Sequence, residues 1–442
     1  MTPLALLLQQ IGFSVLGSDI QPFRMADTLR QSGIRIFTTH RPEQIGESRL
    51  VIYSTAIPEQ NPEYKEAQRV GIPCMNRLEA ISSLVSGKKL LSITGSYGKS
   101  TTTTFTAFFA QEAGIDPSYL IGADLLSFLP AHWNQDQSDW FVLETDESRP
   151  EFLCFSPYSC VLTNVGTDHL THYQHDIQVL KDHLVQYLSS IDPAGCLVMS
   201  YEAYQSLSRH LPSLHRRVIT CGTDPSCDYR YEIQDIRCLG DHFETSFHLK
   251  AKGEFYRNLS IRMPSEKYVL DALLAFALIT DCAKKKLDPR LFEALPILDR
   301  RSQLKRAWNR SYLLDDEGDS PDVIKEVLIN VHTLFPGFRV IPFVQPHRFS
   351  RLQNLMEEYA DVLVSLSDEI ILLPVYPAGE EPIPGIDSFA LAKTIAAKGF
   401  LGPLTVLNTH QEAADWIHTH QTGNNVFILL GPGDVWQVDH AL

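Results

Sequence analysis

Ser92-Ile93-Thr94-Gly95-Ser96-Tyr97-Gly98-Lys99-Ser100-Thr101 follows the apolar run Lys89-Leu90-Leu91. The pattern predicts a buried strand, a glycine-punctuated turn, and a helix running on through Phe105 and Phe108. That geometry turns successive backbone N–H groups inward, sets a helix N-terminus behind them and adds the charge of Lys99. It makes a cradle for phosphate, and Ser100 stands where a hydroxyl can reach a phosphate-bound Mg²⁺. The expectation is a nucleoside triphosphate site. Spacing departs from the usual Gly-x-x-x-x-Gly-Lys-Ser/Thr at one point: Ile93 holds the first glycine position, and the nearest upstream glycine is Gly95.

Working outward, 442 residues suggest about three domains. A chain that is 44% hydrophobic and 21% charged can bury a sizeable core. The net charge of −15 argues against a nucleic-acid surface, which needs a basic field. No apolar run approaches the roughly 18 residues of a membrane span, and the N-terminus carries no signal-peptide pattern. The eight cysteines are scattered, with no C-x-x-C pair, as thiols of a reducing cytosol would be.

The predicted class is α/β in three regions. Residues 1–85 alternate helix (Pro3–Gln10, Met25–Gln31) with short strands (Ser14–Leu16, Ile34–Phe37, Leu50–Tyr53), the pattern of a parallel sheet with crossover helices. Residues 86–295 hold the loop, strands Trp140–Leu143 and Cys160–Thr163, β-like alternation from Tyr229 to Ile261, and a helix near Tyr268–Thr280. Residues 296–442 alternate again, with strands Val340–Val344, Glu369–Leu373, Leu404–Leu407 and Val426–Leu430. A doubly wound unit opens on its central strand, yet this chain opens on the helix that follows one. A sheet missing that strand would leave a gap of about one strand spacing; the expectation is therefore a start upstream of Met1, the alternative a reduced domain.

Carboxylates at strand ends complete a phosphate site. Trp140-Phe141-Val142-Leu143 ends at Glu144, where a Mg²⁺ ligand belongs. Cys160–Thr163 leads to Asp168-His169, which the pattern brings to the same sheet edge. In the third region Asp315-Asp316 follows a short apolar run. Gln345-Pro346-His347-Arg348 follows Val340–Val344; if Pro346 opens a helix, Arg348 and Arg351 share a face. Paired guanidinium groups suit a carboxylate or phosphate. Asp299-Arg300-Arg301 adds cations between regions two and three.

With these segments in order, the chain resembles the Mur ligases over nearly its whole length. The matches are Gly17-Ser18-Asp19-Ile20, Ser54-Thr55-Ala56-Ile57 with Asn61-Pro62-Glu63, Gly95–Thr103, Glu144-Thr145-Asp146-Glu147-Ser148, Thr163-Asn164 with Asp168-His169-Leu170, Asp315-Asp316, Gln345-Pro346-His347-Arg348, Val375–Glu380 and Gly431–Asp434. The resemblance implies a Rossmann-like UDP-sugar-binding domain, a central P-loop ATPase domain and a C-terminal Rossmann-like domain. It implies a cytoplasmic ligase joining UDP-N-acetylmuramate and L-alanine with ATP and Mg²⁺ through an acyl phosphate. By motif position, Gly95, Ser96, Tyr97, Gly98, Lys99, Ser100, Thr101 and Asp271 would hold the nucleotide, and Ser100, Glu144 and His169 the metal. Arg301 and Asp316 would face the nucleotide from the third domain. Ser18, Asp19, Ser148, His347, Arg348 and Arg351 would bind substrate, the two arginines holding the amino acid carboxylate.

Three further segments depart from that pattern. The family's Gly-x-His-Asn-x-x-Asn near adenine is here Ser265-Glu266-Lys267-Tyr268-Val269-Leu270-Asp271. Its Tyr, small residue, His-His-Pro after the paired acids is here Glu317-Gly318-Asp319-Ser320-Pro321. Tyr97 stands where His or Asn is usual. Two other readings therefore stay open: a catalytically weakened paralogue with a binding or regulatory role, and a ligase for another amine or a muropeptide. Oligomeric state is not readable from the sequence.

Overall fold

The computed structural model describes residues 1–442 except 21, 22, 24, 55, 56, 123–128, 136, 137, 167–169, 283, 285 and 309, and the side chains of 171 and 282. Contacts divide the chain into two compact units. One is Met1–Ile233 with Phe247–Ile261 and Glu266–Ile297; the other is Leu298–Leu442 with Gln234–Ser246 and Arg262–Ser265. Of the regions read from the sequence, 1–85 and most of 86–295 thus fall in one contact unit, while Gln234–Ser246 and Arg262–Ser265 fall in the other.

The chain opens with helix Thr2–Ile11, which buries Leu4, Leu6 and Leu7 and stops at Gly12 in a left-handed C-cap. Strand Leu16–Ser18 pairs in parallel with Arg35–Phe37, and Val51–Tyr53 with Cys74–Asn76. Among the described residues these remain two separate two-stranded sheets. Pairing starts at Leu16, two residues past the expected Ser14, with Leu16 opposite Arg35, Gly17 opposite Ile36 and Ser18 opposite Phe37.

The first unit is organised by a large sheet. Its parallel strands run, in spatial order, Arg217–Gly222, Cys196–Ser200, Ser159–Leu162, Lys89–Thr94, Trp140–Glu144 and Ser118–Leu120, with Ala131–His132 added antiparallel at one edge. Beyond Arg217–Gly222 come Tyr229–Cys238, Phe243–Ala251 and Glu254–Ile261. Lys89–Thr94 is buried on both faces after its first residue, which is why it reads as a continuous apolar run. Helix Lys99–Glu112 follows the loop and is buried nearly all round. Its Thr103, Thr104 and Thr106 hydroxyls donate to carbonyls one turn back, which satisfies three of its threonines in the core, while the Thr102 hydroxyl is buried without a hydrogen-bond partner among the described residues. Phe109 packs edge-on against Phe276 of helix Glu266–Cys282 and against Phe292.

In the second unit the strand order is Gln303–Trp308, Ser311–Asp316, Asn425–Leu430, Arg339–Val344, Ile370–Leu372, Leu404–Val406. Only the first pairing is antiparallel. The central strand Asn425–Leu430 lies between Ser311–Asp316 and Arg339–Val344. Crossover helices Pro321–Leu334, Phe349–Leu366, Ser388–Ala397 and His410–His420 cover the sheet. This order sets the carboxyl ends of three neighbouring strands side by side, carrying Asp315-Asp316, Gly431–Asp434 and Gln345–Arg348 to one edge.

Candidate functional site

At the carboxyl end of Lys89–Thr94 the chain turns through Gly95 (φ 126°) and Gly98 (φ 77°). A Cβ on Gly95 would stand 2.2 Å from Thr163 Oγ1, and one on Gly98 would stand 2.5 Å from Asp271 Oδ1. Left-handed backbone and close approach therefore both require glycine here. The loop is clamped from the next strand. Asn164 accepts from the Tyr97 N–H at 3.0 Å and donates to its carbonyl at 2.9 Å, and Ser96 Oγ accepts from the Gly166 N–H at 2.8 Å.

Lys99 is buried and folds back over the loop. Its ammonium donates to the Gly95 carbonyl at 2.7 Å and the Ser96 carbonyl at 3.3 Å, and lies 3.0 Å from Glu147 and 3.9 Å from Asp146. Burial works against that charge, yet Glu147, Asp146 and Glu144 outweigh it and hold the ammonium above its usual range. Ser100 Oγ donates to Glu144 at 2.8 Å, and the Gly122 N–H donates to the same carboxylate at 3.2 Å. Of the residues expected to hold a metal, Ser100 and Glu144 are therefore in contact; His169 lies outside the described residues. Hydroxyl and carboxylate oxygens suit Mg²⁺. Ser148 donates from both its N–H and its hydroxyl to Asp146, closing the turn that carries Asp146 and Glu147. Thr101 is buried at the start of the helix.

Some contributors here were not singled out as site residues by the sequence reading. Glu147 is fully buried against Lys99; its signal was a third acid, after Glu144 and Asp146, on an already acidic strand end. Asn164 offered less, since only tertiary packing brings its amide to Tyr97. Lys267 lies 4.9 Å above the Tyr97 ring, and Asp271 abuts Gly98, so the altered adenine segment is in direct contact with the loop.

Near the N-terminus, Ser18 donates to Glu63 at 2.5 Å and lies 3.0 Å from His40 Nδ1, which is 3.1 Å from the same Glu63 oxygen. Asp19 continues the strand, its N–H donating to the Phe37 carbonyl.

The second unit gathers its own cluster. Arg300 is 1% exposed. Its Nε donates to Asp315 at 3.0 and 3.1 Å, and its terminal nitrogens reach the Gly431 and Gly433 carbonyls. Arg300 and Ser302 both hold left-handed backbone, φ 54° and 48°, a strained pair that these bonds fix. Burial pushes the Asp315 carboxyl up to about 6 despite Arg300. Asp316 is buried and saturated within its unit, taking the Ser302 N–H at 2.6 Å, its hydroxyl at 3.0 Å and the Gly318 N–H at 2.8 Å. Arg301 pairs with Glu317 at 3.2 Å.

The geometry of the arginine pair differs from the expected one. Pro346 does not open the helix. Its carbonyl accepts from the Tyr376 N–H and the Arg348 N–H donates to the Tyr376 carbonyl, so the chain stays extended through His347. Helix Phe349–Leu366 starts one residue after Arg348, whose φ is 67°. Arg348 is exposed, while Arg351 is engaged by Asp319. His347 stacks parallel to Tyr376 at 5.9 Å; burial, aided by Arg351 and Arg348, lowers it to about 4.

A glycine loop at the carboxyl edge of a parallel sheet, with a buried lysine and an acid from the adjacent strand on its serine, defines a P-loop phosphate-binding protein. Residues 1–89 match the Mur ligase family catalytic domain, and residues 93–279 the Mur ligase middle domain. A UDP-N-acetylmuramate–L-alanine ligase of Desulfatibacillum aliphaticivorans is 31% identical over 443 residues, covering 100% of this chain and 95% of that one. Among solved structures, a UDP-N-acetylmuramate-alanine ligase from Thermotoga maritima matches with a TM-score of 0.80 at 24% identity, covering 100% of this chain and 95% of that one. A murein peptide ligase from Psychrobacter arcticus matches with a TM-score of 0.70 at 19% identity, covering 100% and 97%. The chain belongs to the Mur ligase family, and its α/β fold is the three-domain fold of those structures.

Proposed function

We propose that this chain is an ATP-dependent amide ligase of peptidoglycan precursor synthesis, joining L-alanine to the carboxylate of UDP-N-acetylmuramate in the cytoplasm. The observation that carries the reading is the loop itself, with Lys99 buried among three acids and Ser100 bonded to Glu144. A carboxylate is a poor acylating agent, so a phosphoryl group has to supply its leaving group. A substrate carboxylate oxygen attacks the γ-phosphorus, and the bond to the β-phosphate oxygen breaks to release ADP. The amine nitrogen then attacks the acyl carbon, phosphate leaves from the tetrahedral intermediate, and the nitrogen loses a proton.

Lys99 and the inward N–H groups of the loop offset the charge of the triphosphate. Ser100 and Glu144, with His169 as a further ligand, would hold Mg²⁺, which supplies charge neutralisation at the transferring phosphoryl group. Arg301 and Asp316 are read as facing the nucleotide, and His347, Arg348 and Arg351 as the amino acid end; closure of the domains would assemble them. Ser18 and Asp19 belong to the UDP-sugar end on the same reading.

ADP release is the test, measured with UDP-N-acetylmuramate and Mg²⁺, with and without L-alanine. Turnover that depends on both substrates is expected; none with either would sink the reading. Turnover with a murein peptide in place of L-alanine would favour the muropeptide alternative. The Lys267–Tyr97 and Asp319–Arg351 contacts, both at positions where the family pattern is broken, are what keep that alternative and the weakened paralogue in view.

A further inference from the structure

Arg351 is occupied by its own chain. Its Nη1 donates both to the Asp319 carboxylate and, at 3.1 Å, to the Asp319 carbonyl. The Tyr359 hydroxyl donates to that same carbonyl and fixes it. Nearby, Glu380 accepts from the Ser350 N–H at 3.0 Å and from its hydroxyl at 2.6 Å, at the start of the helix that carries Arg351. Two guanidinium groups thus share the neighbourhood of His347 with two carboxylates, Asp319 and Glu380. A pocket meant to take a carboxylate through paired arginines is here close to neutral before any ligand enters.

We propose that Asp319 is a specificity-determining residue: its carboxylate competes for Arg351 with the carboxylate of the incoming amine substrate and sets how tightly that substrate is held. This rests on the ligase reading above for the identity of the substrate. The alternative role, in which Asp319 orients Arg351, is weaker on the geometry. Orientation is already supplied by the main-chain carbonyl, which Tyr359 anchors and which any residue at 319 would keep. What the side chain adds is charge, placed where a ligand carboxylate would otherwise make its bidentate contact.

The test is calorimetric titration of the full chain with L-alanine, without ATP. Asp319→Asn keeps the shape and removes the charge, and should bind about two- to tenfold tighter than the parent. Asp319→Ser, checked by thermal unfolding, repeats the measurement should the first variant fold poorly. Combining Asp319→Asn with Arg351→Ala should cancel the gain, because the effect runs through that guanidinium. Equal or weaker binding in both Asp319 variants, including no measurable binding in any protein, overturns the proposal. ADP release is assayed separately, so a chain that binds L-alanine more tightly as Asp319→Asn yet shows no amine-dependent turnover would sink the ligase reading and leave this one standing.

Discussion

The phosphate loop and the arginine cluster of the second unit handle charge in opposite ways. Around the loop one ammonium, Lys99, faces Glu144, Asp146 and Glu147, so the side chains carry excess negative charge. Beside His347 two guanidinium groups meet two carboxylates, and beside Arg300 the chain closes one charge on Asp315 and two carbonyls. The first arrangement asks for a cation from outside, as a site for Mg²⁺ and a triphosphate must. In the second, Arg351 and Arg300 are already engaged from within, so a ligand that takes either guanidinium displaces a contact. An unbalanced site depends on its ligand for electrostatic completion; a balanced one sets a threshold that the ligand has to overcome.

Removing the buried cation at the loop, Lys99, should do the most damage. Lys99→Met would leave Glu147 buried without its ammonium, costing about 3–5 kcal/mol in urea unfolding. It would also cut ADP release by about 10²–10³. Adding Glu147→Gln should return most of the stability and none of the turnover. A Lys99→Met protein as stable as the parent would break the comparison, because it would mean Glu147 does not rely on that charge.

The matching change in the balanced cluster is Arg300→Met, again about 3–5 kcal/mol, since Asp315 would be stranded. Its pH dependence separates the two regions further. Asp315 titrates near 6 in the folded chain and near 4 unfolded, so the native state holds the proton more tightly. Its contribution to stability is therefore present at low pH and is lost as pH rises from about 4 to about 6. Subtracting Asp315→Asn from the parent in urea unfolding at several pH values should show a decline on the order of 2–3 kcal/mol across that window.

The loop was legible because its chemistry is local. Two glycines, a lysine and a serine in fixed order after an apolar run imply the backbone geometry directly, and burial of Lys89–Thr94 on both faces left a continuous hydrophobic signature. The second site was legible only in part. Its residue types were readable, but which carboxylate meets which arginine depends on a strand order that inserts Asn425–Leu430 between Ser311–Asp316 and Arg339–Val344. No local pattern announces that Asp319 lies on Arg351, or that Arg300 reaches the Gly431 carbonyl. The helix opens at Phe349, three residues past Pro346, because His347 bridges to Tyr376, 29 positions away in sequence, and the chain stays extended where Pro346 alone suggested a helix.

His347 offers a smaller test of opposite sign. Its folded pKa, about 4, lies below the ordinary histidine value of roughly 6.5. The neutral ring is thus favoured in the native state, and its contribution to stability is lost as pH falls from about 6.5 toward 4. With His347 only partly buried, the loss should be on the order of 1 kcal/mol, read as the parent's acid limb minus that of His347→Asn. A cluster that responded by more than this would not be balanced in the sense argued above.

The smallest effect should come from Lys267→Ala, and its size discriminates between two ways of building the loop. Lys267 covers the Tyr97 ring at 4.9 Å, a contact worth about 0.5–1 kcal/mol. The Tyr97 backbone, however, is held from another direction, by the Asn164 amide on both its N–H and its carbonyl and by the Thr163 hydroxyl on the latter. If those bonds shape the cradle, losing the lysine should change Mg-ADP affinity less than about fivefold in a calorimetric titration. A loss well beyond that would mean the cation over Tyr97 serves the nucleotide itself. The altered adenine segment would then be a working part of the unbalanced site, and its excess negative charge would be smaller than Lys99 alone implies.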